Sequence, residues 1–185
     1  MTARYDGEAW ECAVAMWTWV KIPKALAMVF FMLPWMTVSC SNQKVMTATG
    51  WSFVSGSYHL NPFLAHSMRV QSEVNHPNPV MIVAFGLTLL GLILSFQPMR
   101  RGAPGVIAAS TGALIAILYF THQIATKMYD DMGSGGTAGW IAATVQVTWE
   151  MGYWLTLGAL ASAIVMAGMA WNGKSRAALL NAGSD

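Results

Sequence analysis

An all-α membrane protein with four transmembrane helices is the fold class this sequence predicts, with an N-terminal interfacial helix and a folded outer loop between the first two spans. Three observations predict it. Hydrophobic residues make up 55% of the 185 and charged residues 10%, against about 25% charged in an ordinary soluble domain. The mean hydropathy is +0.46. Four apolar runs each approach the roughly 20 residues a helix needs to cross a bilayer core. The same composition excludes a disordered chain, which is polar and charge-rich. A net charge of +2 without a basic stripe argues against nucleic acid as a partner. The length suits one domain, residues 1–185.

The elements follow in chain order. Residues 6–20 begin with Asp6, Glu8 and Glu11, favourable at a helix N-terminus, and carry Trp10, Trp17 and Trp19. This reads as a helix lying in the membrane interface, with docking against a partner subunit as the alternative. The first span is read at about 22–40, with Pro34 inside it. The run ending Thr37-Val38-Ser39-Cys40 loosely matches a lipoprotein signal. The long, tryptophan-rich stretch before it favours a membrane helix over a signal peptide. The outer loop, 41–78, has turn signals at Gly50 and Gly56. Asn61-Pro62 then starts a short helix, with Asn as N-cap and Pro at the first helical position. The remaining spans are read at about 79–97, 104–125 and 150–171.

Orientation follows from the Lys/Arg count in short loops. Arg4, Lys21, Lys24, Arg100, Arg101, Lys174 and Arg176 fall on one side, and Lys44, Arg69 and Lys127 on the other. Both termini are therefore expected in the cytoplasm of a bacterial inner membrane, in a multi-pass arrangement. Cys12 and Cys40 then lie on opposite sides and cannot pair.

Within lipid, small residues let helix backbones approach. Ala108, Gly112 and Ala116 in span three, and Ala159, Ala163 and Ala167 in span four, recur at spacing four. With the glycine-rich turn at 133–136 they predict a tight antiparallel hairpin. Folding the chain about that turn brings Glu150 level with Tyr119, about one turn from His122, which predicts a polar cluster of the three.

Chemistry-bearing residues are sparse. His59, His66 and His76 share the outer loop, but their spacings of seven and ten match no metal motif. His122 near the end of span three is the one histidine placed to ligate a tetrapyrrole axially, and no second histidine lies within a span. No nucleophile elbow, phosphate loop or paired metal-ligand motif occurs. No cofactor is expected unless His122 holds a haem or chlorophyll-type pigment.

Leu33-Pro34-Trp35-Met36-Thr37-Val38-Ser39-Cys40, followed by the Gly50 and Gly56 turns, and Gly152-Tyr153-Trp154-Leu155 carry a resemblance. These stretches resemble a group of small bacterial four-span proteins of unknown function. The resemblance implies a membrane topology and brings no activity, cofactor or catalytic residue.

These readings lead to a non-catalytic accessory or structural subunit of a larger membrane complex, with the bilayer and other membrane subunits as partners. A cofactor-binding bundle in electron transfer or light capture, centred on His122, is the first alternative. A small transporter or sensor is the second.

Overall fold

The computed structural model describes residues 17–40, 43–57, 59–60, 77–133 and 145–182. In chain order these form α1 (Lys21–Phe30), β1 (Pro34–Cys40), β2 (Gln43–Thr49), α2 (Gly50–Ser55), β3 (His59–Leu60), α3 (Pro79–Leu94), α4 (Met99–Gly133), β4 (Val145–Trp149) and α5 (Met151–Ala182). Of the interfacial helix expected over 6–20, residues 17–20 are described, with Trp17 and Val20 buried; its earlier residues and the loop helix expected after Asn61 lie outside the described residues.

The all-α expectation is corrected by an antiparallel sheet of order β3-β2-β1-β4, in which β3 contributes two residues. The four-span expectation is corrected as well. Two helical stretches are long and apolar enough to cross a membrane, Gly102–Thr126 and Met151–Asn172. α3 is apolar but has 16 residues, and α1 has 10.

The reason lies in the expected first span. A proline has no N–H to continue a helix, and helix α1 ends before Pro34. Thr37 and Val38 are β-branched and suit a pleated strand. Strand β1 then finds pairing on both edges. Val38 lies opposite Met46 of β2 and Val147 of β4, and Met36 lies opposite Ala48 and Trp149. Those residues share one face and pack on the helices. In β4, Val147 and Trp149 are half-buried while Gln146 and Thr148 are exposed, the period-two pattern of a strand with one covered face.

Local signals set the other boundaries. Thr49 caps α2: its hydroxyl accepts from the Ser52 N–H at 3.0 Å, and Ser52 Oγ accepts from the Thr49 N–H at 3.3 Å. Gly56 ends α2 with a φ of 77°, the left-handed conformation that glycine adopts without penalty. Asn78 caps α3 through Oδ1, which accepts from Val80 N at 3.0 Å, and Pro79 fills the first helical position.

Helix α4 packs against both α3 and α5, and α1 packs against α3 and α5. The sheet covers one end of these helices. At the opposite end Trp17, Val20, Ala103, Val106, Ala167 and Ala170 form a second, smaller core. Its Trp17 Nε1 donates to Gln97 O, at the α3–α4 turn, at 3.2 Å.

Candidate functional site

The densest constellation in the molecule is the junction between sheet and helices, with Trp35 at its centre. Its side chain is fully buried. The ring packs on Phe31 at 4.7 Å and edge-on to Tyr153 at 5.8 Å between centroids. Phe85, Trp51, Trp149 and Trp154 extend the array, each within 5.4 Å of another ring. Aromatic pairs in these tilted and edge-on arrangements add about 0.5–1.5 kcal/mol each beyond their burial.

Hydrogen bonds lock the same place. The last carbonyls of a helix have no partner within it. Here Phe30 O accepts from Trp35 Nε1 at 3.0 Å, and Phe31 O accepts from Trp51 N at 2.9 Å. The Glu150 N–H donates to Trp35 O at 2.8 Å, tying the end of β4 to β1 at the start of α5. A Cβ on Gly152 would lie 2.5 Å from Pro34 O and 3.1 Å from Trp35 Cδ1. A Cβ on Gly50 would lie 2.7 Å from Trp35 Cε2. The stretches Leu33-Pro34-Trp35 and Gly152-Tyr153-Trp154 therefore meet in space, and glycine is what lets them meet.

Of the polar cluster read from the sequence, Tyr119 is 53% exposed. His122 is exposed and Glu150 half-buried. Among the described residues, no hydrogen bond or ion pair joins the three side chains. A polar link between α4 and α5 is made instead by Thr121, next to His122, and Tyr153, three residues past Glu150, with Thr121 Oγ1 and Tyr153 Oη 3.2 Å apart. Thr121 Oγ1 also lies 2.9 Å from Ile117 O.

Ala159, Ala163 and Ala167 are buried on α5. On α4 the stripe is turned: Ala108 is exposed, and Gly112 and Ala116 are half-buried. The buried positions are Ala109, Ala113 and Ile117, one residue further along, a rotation of about 100°. A Cβ on Gly112 would meet Leu87 Cδ1 of α3 at 3.1 Å. Gly112 thus opens α4 toward α3 rather than toward α5. The reading from sequence gave α4 one neighbour, and it has two.

Lys24 was counted in the sequence as a cytoplasmic charge. In the structure it is the one charged side chain that is buried among the described residues. Its Nζ makes no hydrogen bond there. The ammonium lies against α3, where a Cβ on Gly91 would come within 2.6 Å of it. The buried hydroxyls behave differently. Thr88, Ser110 and Thr156 each donate to the carbonyl four residues back in their own helix, and Ser95 donates to Leu92 O. Among the described residues, no group of three or more His, Cys, Asp or Glu side chains is placed to hold a metal ion.

No protein-family model and no curated protein matches the chain.

Proposed function

We propose that this chain is a structural or accessory subunit of a larger membrane assembly, non-catalytic, and held in a bacterial inner membrane as a multi-pass protein. The sheet lies outside and both termini lie in the cytoplasm. The observation that carries the structural role is the aromatic junction around Trp35, which fastens a sheet rigidly onto the end of a helix bundle. The membrane setting is supported by a belt of exposed apolar side chains around the helices. It includes Val29 at 57%, Ile93 at 55%, Ile115 at 60% and Val165 at 52% exposure. Large exposed apolar surfaces mark membrane or partner contacts. Orientation is supported by the basic residues: Lys21, Arg100, Arg101, Lys174 and Arg176 fall in helix ends remote from the sheet.

The test is native extraction of the full chain in a mild detergent, followed by native electrophoresis. Migration with a larger assembly is expected. A lone 20.0 kDa species under conditions that keep other membrane complexes intact refutes the subunit role. Orientation is read by single cysteines in a background with Cys12→Ser and Cys40→Ser. Gln43→Cys, exposed on β2, reacts with an impermeant maleimide from outside, and Gln97→Cys, exposed at the α3–α4 turn, does not. The reverse pattern inverts the topology.

A further inference from the structure

Two lysines of α1 reach across to the end of α3, one to its last turn and one to the turn that follows it. Lys21 Nζ lies 5.1 Å from the centroid of the Phe96 ring. Lys24 Nζ lies one turn further in, at Gly91. Gly91 is in the last turn of α3 and Phe96 is two residues past its end, and Ser95, whose hydroxyl donates to Leu92 O, falls between them in sequence. The seam between α1 and α3 therefore carries two cations at its edge. Lys21 can attract a ligand by charge at the surface, and Lys24 is the group that lacks a partner.

An unpaired buried ammonium is costly, and buried charges are ordinarily paired. The seam opens at the end of the bundle where Arg100 and Arg101 begin α4 and Lys174 and Arg176 lie in the last turns of α5. No Asp or Glu falls at that end among the described residues: Asp130 and Asp131 are near the far end of α4, and Glu150 is beside β4. Exposed aromatic rings mark the boundary there, Trp19 at 60% and Phe96 at 69%. Aromatic rings concentrate at headgroup depth in membrane proteins.

We propose that the α1–α3 seam binds the phosphate of an anionic phospholipid, with Lys21 as the outer contact and Lys24 as the inner one. Side chains on a helix lean toward its N-terminus, and the N-terminus of α1 is at the basic end. The long Lys24 stem can therefore swing its ammonium from the Gly91 notch toward the headgroup while its methylenes stay packed. Glycine at 91 gives the ammonium its resting place. A zwitterionic headgroup brings its own cation, which the basic cluster repels, so selection is for net negative charge. The inference rests on the membrane reading above.

The experiment uses the full chain in detergent micelles, doped in turn with phosphatidylglycerol, phosphatidylcholine or inorganic phosphate. Bound lipid is counted by native mass spectrometry, and thermal unfolding is followed alongside. Phosphatidylglycerol is retained and raises the unfolding temperature. Lys21→Gln and Lys24→Gln each weaken retention about fivefold, the effect of removing one cation near an anionic surface. Lys127→Gln, in the far part of α4, leaves it unchanged. Lys21→Gln keeps the test decisive where Lys24→Gln fails to fold. Equal retention of phosphatidylcholine overturns the site. An equal response to inorganic phosphate overturns the lipid as its source. Protein released from membranes by carbonate without detergent fails the membrane reading itself, a separate outcome.

Discussion

Gly152→Ala adds one methyl group at the place where α5 passes under β1. The added carbon would lie 2.5 Å from Pro34 O, 2.8 Å from Leu33 Cβ and 3.1 Å from Trp35 Cδ1. The first obstacle is a backbone carbonyl, so no side-chain rotation relieves it. Either α5 or the start of β1 must move. That movement loosens the 2.8 Å bond from Glu150 N to Trp35 O and the Trp35–Tyr153 ring contact. Overpacking of this kind costs about 1–3 kcal/mol, and a lost hydrogen bond adds about 0.5–1.5 kcal/mol. The helical preference of alanine over glycine returns about 1 kcal/mol at most. The expected net loss is about 0.5–4.5 kcal/mol. Gly158→Ala, less than two turns along the same helix, is the control: nothing lies within 4 Å of its added carbon. That variant gains the helical preference alone and is stabilised by up to about 1 kcal/mol. The assay is denaturant titration of the detergent-solubilised chain, followed by tryptophan fluorescence. A Gly152→Ala variant within about 0.5 kcal/mol of the parent, or one shifted in the same direction as Gly158→Ala, refutes the close approach at the junction.

Thr121→Val and Tyr153→Phe each cost about 0.5–1.5 kcal/mol, and the double variant costs less than their sum, because both remove the same hydrogen bond between α4 and α5; full additivity in the same titration rejects that bond. Gly91→Ala costs less than Gly152→Ala despite a similar 2.6 Å approach, because the obstacle is the mobile end of Lys24; an equal or larger loss means that the ammonium is fixed in its notch. His122→Ala leaves stability within about 0.5 kcal/mol, as substitution of an exposed side chain does; a visible absorption band present in the parent and lost in the variant would instead establish a pigment ligand.

Helices α3, α4 and α5 were legible in the sequence because their signals are local. Asn78-Pro79 announces the start of α3, and the long apolar runs announce α4 and α5. The sheet was not legible because its signals are split across the chain. Strand β1 continues an apolar run directly, so hydropathy merges it with α1, and Pro34 is the one local mark of the change. The alternation in Val145–Trp149 is five residues long, and its partner lies on the far side of three helices. The junction was half legible: Leu33-Pro34-Trp35 and Gly152-Tyr153-Trp154 both stood out, but nothing in either stretch says that they touch. The burial of Lys24 was not legible for a related reason. Its position near the start of an apolar run matches that of a snorkelling lysine, and only the packing of α1 on α3 encloses it.

The pairing of β1 with β4 has a consequence for biogenesis. Strand β1 leaves the ribosome early, but one of its edges stays open until α2, α3, α4 and β4 have all been made. Chains are synthesised at about 5–20 residues per second, so that edge waits for several seconds. An open strand edge is a template for wrong pairing. Arrival of β4 closes the edge, and Glu150 then fastens to Trp35 as α5 begins. The sheet is thus completed from the C-terminal half of the chain: a chain truncated before Val145 leaves one β1 edge uncovered.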